Sequence, residues 1–186
     1  MYRLFVSVLL AMAGSLKADV NEYLDYTYYV ANADPSRSLL SVLDAASPIR
    51  EDGKIFHAYT TWNVKWDFRW FEQPNGRCKI TKVSSKLTGN IQLPRLFGAS
   101  SLQNGQFDNY LSALRIHELG HYRLGKEAAA EIDREILALP EKPNCKILAK
   151  TANDLANQVI IEYKGKGLQY DASTDYGRSQ GAWLDR

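Results

Sequence analysis

Over residues 56–70 the chain alternates without a break. Phe56, Ala58, Thr60, Trp62, Val64, Trp66, Phe68 and Trp70 interleave with His57, Tyr59, Thr61, Asn63, Lys65, Asp67 and Arg69. Successive side chains of a strand point to opposite faces, so a period of two held this long specifies one extended strand. It presents an aromatic face to a core and a polar face to water, with His57 on the polar side; the strand is expected over about 54–71. Pro74-Asn75-Gly76 is a turn signal. Residues 77–93 then read as a returning strand or pair of strands, and the change of phase between Ile80 and Val83 predicts a bulge or bend. Upstream, Tyr23, Leu24, Tyr26, Tyr28, Tyr29 and Val30 suggest another strand. Residues 36–46 carry Leu39, Leu40 and Leu43 at helical spacing, closed off by Pro48.

The second half changes period. After a loop expected over residues 94–105, Phe107, Tyr110, Leu114, His117, His121, Leu124, Ala128, Ile132 and Ile136 recur at three- and four-residue steps. This predicts a long helix over about 106–139, ended by Pro140. Asn144 can cap a second helix over about 145–163, with Gly165 and Gly167 as stops and the tail from 168 to 186 as loop. Strands first and helices after indicate an α+β layering of antiparallel strands packed on helices. The length of 186 residues suits one domain, spanning residues 19–186, with enough chain to bury a core. A formal charge of +2 gives no reason to expect a nucleic-acid partner.

Residues 1–18 have the layout of a secretory signal: a basic start at Arg3, an apolar run from Leu4 to Gly14, and small Ala18 before the expected cut. The run is too short to span a bilayer, so no stable membrane anchor is expected. Removing Arg3 and Lys17 leaves 21 basic against 21 acidic residues. The expected location is therefore secreted or periplasmic. Cys78 and Cys145 are too far apart for a zinc ribbon. In an oxidising compartment they can close a disulfide loop; two buried free thiols are the alternative.

The chemistry lies on the long helix. His117-Glu118-Leu119-Gly120-His121 is HExxH, and a four-residue step brings both imidazoles to one helical face, where they can share a zinc ion (Zn2+). Glu118 is turned about 100° from His117, placed beside the metal as a general base for an attacking water. The chain has three His and two of them fall in the motif; shuffling its composition would yield HExxH roughly 0.0015 times per chain. A third protein ligand is needed and no local spacing selects it. The metzincin layout fails at Leu124, Gly125 and Glu127. Asp154 or Glu162 on the second helix, Asp171, Asp175 or Tyr176 in the tail, and His57 are the candidates.

Beyond the motif the chain resembles an uncharacterised bacterial family of predicted secreted zinc-dependent proteases, domain-of-unknown-function family nine-two-two. The resemblance rests on Asp52-Gly53 with Ala58-Tyr59-Thr60, Arg77-Cys78-Lys79-Ile80, residues 114–121, Asn144-Cys145, Tyr170 to Gly177, and Gln180-Gly181-Ala182. It implies a zincin-like fold and favours a Cys78–Cys145 disulfide. The family tail reads Tyr-Asp-x-x-Thr-x-His-Gly, and its His, a natural third ligand, is Tyr176 here. Asp171, which matches the pattern, is then the preferred third ligand beside His117 and His121. Tyr176 becomes a ligand or a donor to the oxyanion. The expected activity is zinc-dependent hydrolysis of protein or peptide substrates with Glu118 as base. The competing expectation is a non-catalytic secreted binding protein that keeps the helix but lacks a complete metal site. Oligomeric state is left open.

Overall fold

The computed structural model describes residues 20–184, so the signal segment expected over residues 1–18 lies outside the described residues. The element order is β1 (Asn21–Asn32), α1 (Leu39–Ala46), β2 (Ile49–Glu51), β3 (Lys54–Phe56), β4 (Tyr59–Glu72), β5 (Cys78–Phe97), α2 (Ser101–Leu137) and α3 (Cys145–Thr174), followed by a short 3-10 turn at Arg178–Gln180. The layering is α+β. A three-stranded sheet in the order β1-β5-β4 carries α2 and α3 on one face, and β2 and β3 form a separate hairpin.

The long alternating segment divides. The chain leaves extended pairing at His57 and Ala58, so the expected strand over 54–71 is two pieces, β3 in the hairpin and β4 in the main sheet. Thr60, Trp62, Val64, Trp66 and Phe68 do face the helices, while Trp70, past an irregularity in the pairing, is exposed. That irregularity is the expected bulge: Arg69 pairs with Lys82 and Trp70 with Ile80, so Thr81 has no partner and the strand changes phase. β5 is one strand of twenty residues rather than two. It pairs antiparallel with β4 but parallel with β1, so the sheet is mixed and not antiparallel throughout. The parallel pair follows from the excursion through α1, the hairpin and β4, which returns the chain beside β1 in its own direction.

Both helices are longer than their periodicity indicates. α2 starts at Ser101, where Ser100 and Gln103 form a reciprocal capping box, so the expected loop over 94–105 shrinks to residues 98–100. Pro94 sits inside β5 opposite Tyr29. α3 runs through Gly165 and Gly167 to Thr174, so the helix expected to stop at 163 gains three turns and most of the expected tail loop disappears. Glycine costs only about 1 kcal/mol relative to alanine inside a helix, which packing can override. Here the added turns are held against His117 and His121 by Tyr170 and Asp171.

The core lies in two clusters. One joins Val64, Ile80 and Leu87 to Ala128, Ile132 and Ile136 of α2 and to Leu148, Ala152 and Val159 of α3. The other packs α1 through Val42 and Leu43 against Ile91, Leu93, Phe107, Tyr110 and Leu114. His117 and Glu118 fall on α2 between them. A disulfide joins Cys78 to Cys145, with Cα atoms 5.1 Å apart, and fastens the start of β5 to the start of α3. Among the described residues, no helix is long and apolar enough to cross a membrane.

Candidate metal centre

The register of α2 turns His117, Glu118 and His121 toward a cleft beside β4. Nε2 of His117 and Nε2 of His121 are 3.3 Å apart. Oδ1 of Asp171, from α3, lies 3.1 Å from the first and 2.9 Å from the second. Three donor atoms from two helices thus converge on one point. Asp171 reaches it only because α3 continues past its glycines; with the helix ended at 163 the carboxylate would have no fixed position.

The approach of α3 is tight at Gly120. A Cβ built there would meet the Tyr170 hydroxyl at 2.2 Å, so only glycine at this position lets the Tyr170 ring pass. That ring stacks on the His117 imidazole at 5.0 Å with 12° between planes and meets His121 edge-on at 5.1 Å. The 3-10 turn supplies Gln180. Its Nε2 donates to the Tyr170 hydroxyl at 3.0 Å, which aims Oε1 at Nδ1 of His117, also at 3.0 Å. With its Nδ1 proton donated to Gln180, a neutral His117 has its Nε2 lone pair directed at the convergence point.

Charge follows the same geometry. Burial of Asp171 opposes ionisation, but bonds from both imidazoles prevail and hold its carboxyl down at about 2. Burial likewise opposes charging of His117, yet its bonds to Asp171 and Gln180 and the nearby carboxylates lift it above its ordinary value. The point where the three atoms meet therefore favours positive charge, whether a proton or a cation. Glu118 is 5% exposed, and burial pushes its carboxyl up against the opposing pull of Thr60 and the two imidazoles. The Thr60 hydroxyl of β4 lies 2.7 Å from Glu118 Oε2, donating to it, and 3.1 Å from the Glu118 carbonyl.

The centre opens into a cleft of about 1540 Å³ walled by the hairpin, β4, α2, α3 and the last turn. The remaining sequence candidates take other places. Tyr176 stands at the cleft rim, 45% exposed, with its hydroxyl 3.4 Å from Lys54 Nζ. Asp175 is the left-handed cap of α3 and faces Arg178 at 3.9 Å. Asp154 pairs with Lys150 and Glu162 with Lys166, one turn away along α3. His57 is buried rather than on a polar face: Nε2 lies 2.9 Å from Asp44 and Nδ1 2.7 Å from the Tyr110 hydroxyl. The break in pairing at residues 57–58 rotates its ring inward, and alternation alone cannot anticipate such a break.

Thr60, Tyr170 and Gln180 are site residues that motif reading misses. Each lies within a segment that the family resemblance marks, which is the signal that could have found them. The model of a family of bacterial proteins of unknown function (DUF922) matches residues 26–177, most of the chain, and the protein belongs to this family. No curated protein and no solved structure matches it significantly.

Proposed function

We propose that this DUF922 protein is a secreted, zinc-dependent peptidase of zincin-like architecture, with His117, His121 and Asp171 as ligands and Glu118 as general base. The observation that carries the reading is the convergence of two imidazole nitrogens and one carboxylate oxygen, 2.9 to 3.3 Å apart, with a buried carboxylate alongside. A tetrahedral zinc ion with bonds near 2.0–2.2 Å holds its ligand atoms roughly 3.3–3.6 Å apart, so the donor set suits zinc in its chemistry and needs to open by only a few tenths of an ångström to match it in spacing. Three protein ligands leave one coordination position for water or substrate, the hallmark of a catalytic rather than a structural site.

Zinc held there would supply a Lewis acid for the scissile carbonyl and would lower the pKa of water. The other tasks fall to the chain itself. Glu118 takes a proton from the attacking water and passes it to the leaving amine. Thr60 fixes one carboxylate oxygen and leaves the other free to move protons. Gln180 and Tyr170 hold His117 in one tautomer and one orientation. The edge strand β4 lies beside the centre, where an extended polypeptide could add a strand; that role is an analogy with zincin-like enzymes. Export is supported by the signal-like residues 1–18 and the Cys78–Cys145 disulfide.

Elemental analysis of the purified mature protein tests this reading. About one zinc per chain is expected, lost in His121→Ala and in Asp171→Ala. A denatured-protein peptide mixture should be cleaved by wild type and left intact by zinc-loaded Glu118→Gln. Zinc far below stoichiometric under metal-replete conditions overturns the reading and returns the protein to the class of secreted binding proteins.

A further inference from the structure

The cleft has two lips that touch. One is the hairpin of β2 and β3, which is not joined to the main sheet and is tied at its base through Ser47, whose hydroxyl donates to the Phe56 carbonyl and accepts from the Ile49 amide. Its tip, Glu51 to Lys54, is exposed and turns through left-handed Asp52 and Gly53. The other lip is the turn after α3, where Asp175, Tyr176 and Gly177 are all left-handed, at φ 49°, 52° and 83°. Non-glycine residues resist that conformation, and two in succession need compensation.

Backbone bonds supply part of that compensation, from the Tyr176 amide to the Asp171 carbonyl at 2.9 Å and from the Arg178 amide to the Asp175 carbonyl at 3.0 Å, and the turn they hold carries Tyr176 across the cleft. Its ring packs against Phe56 with centroids 5.6 Å apart. Lys54 Nζ lies 4.8 Å from the ring centroid and 3.4 Å from the hydroxyl. Hairpin and turn both line the cleft that holds His117, Glu118 and Asp171, so a polypeptide approaching from this side must pass between them. The contacts described between the lips are a tilted aromatic pair, an exposed cation over a ring and a 3.4 Å hydrogen bond from Lys54 Nζ to the Tyr176 hydroxyl, each individually weak. Contacts of this strength can yield to a bound chain.

We propose that the β2–β3 hairpin is a flap over the candidate metal centre and that Tyr176 is the latch that holds it shut. What the flap covers rests on the metal reading above; the latch itself does not. Tyr176 is accordingly a gating residue rather than a ligand.

Hydrogen exchange on the mature protein tests the latch without reference to metal. In Tyr176→Ala the amides of residues 49–56 should exchange about tenfold faster, with those of residues 110–125 unchanged. Tyr176→Phe, which keeps the ring, should stay within about twofold of wild type, and Lys54→Met should fall between the two. Unchanged hairpin exchange in both Tyr176→Ala and Lys54→Met overturns the proposal. So does loss of protection throughout α2 in Tyr176→Ala with no effect of Lys54→Met, which would make Tyr176 a structural residue. A second readout is the rate at which dipicolinate removes zinc. It should rise in Tyr176→Ala at unchanged zinc stoichiometry, whereas lost stoichiometry would make Tyr176 a ligand and overturn the latch. A protein that binds no zinc at all defeats the metal reading, and the exchange result then still decides the latch.

Discussion

Gln180 holds His117: its amide oxygen lies 3.0 Å from Nδ1, while its amide nitrogen donates to the Tyr170 hydroxyl and so cannot be the group facing the ring. Outer partners of this kind set the tautomer and basicity of a metal-binding imidazole. Gln180→Leu should weaken zinc binding by about 10- to 100-fold with the fold retained, measured by competition with a chromophoric chelator. Gln180→Glu, which keeps an acceptor, should weaken it less. Equal affinities in all three proteins would mean that Gln180 plays no part.

His57 and His117 should be shifted in opposite directions in zinc-free protein. His57 is lowered by burial, which outweighs Asp44. Its native pKa is therefore below 6.5, and the stability linked to it is present above pH 6.5 and is lost as pH falls through the native value. His117 is raised, so its contribution is complete below pH 6.5 and is lost as pH rises through the higher native value. Imidazole NMR titration, with His57→Gln and His121→Gln to assign the three resonances, should place His57 below 6.5 and His117 above it. Both on the same side contradicts the network described.

Burial raises Glu118, so the ionised carboxylate is tolerated rather than favoured in the folded protein. A raised carboxyl contributes stability below its unfolded pKa, and that contribution is lost as pH rises through the native value. In zinc-free protein at pH 7, Glu118→Gln should therefore melt at a higher temperature than wild type, with the gain vanishing near pH 4. A variant that melts lower at pH 7 would indicate that Thr60 and the imidazoles more than offset the cost of burial.

Cys78 and Cys145 are 67 residues apart in sequence, and the Cys78 backbone also exchanges two hydrogen bonds with Lys142, each 3.0 Å long. On the chain-entropy estimate, a loop of this length stabilises the fold by about 4 kcal/mol. Urea unfolding with and without reductant should show a loss of that order. A shift under about 1 kcal/mol would place the stabilisation in the Lys142 bridge and the surrounding core instead.

Thr60 gives the sharpest separation of catalysis from metal binding. Thr60→Val removes the donor to Glu118 and leaves all three proposed ligands in place. Zinc content should be unchanged while peptide cleavage falls about 10- to 100-fold, and Thr60→Ser should recover most of it. Zinc loss in Thr60→Val would show that β4 supports the ligands as well as the base.

Much of the architecture was legible because it is local. Alternation through Thr60 to Phe68 and three- and four-residue steps through Phe107 to Ile136 are backbone periodicities, and each specifies which face is buried. The same arithmetic puts His117 and His121 on one face of α2, and the change of phase between Ile80 and Val83 announces the unpaired Thr81. What required tertiary structure was every relation between elements. Gly165 and Gly167 read as stops, yet α3 continues because Tyr170 and Asp171 gain partners on α2 that no local signal reveals. That continuation selects Asp171 from a field of carboxylates and moves Tyr176 to the rim. His57 turned inward for the same reason, since a short break in strand pairing offered it Asp44 and Tyr110. Periodicity determines which way a side chain points from its own element; which atom it meets depends on where the other elements come to rest.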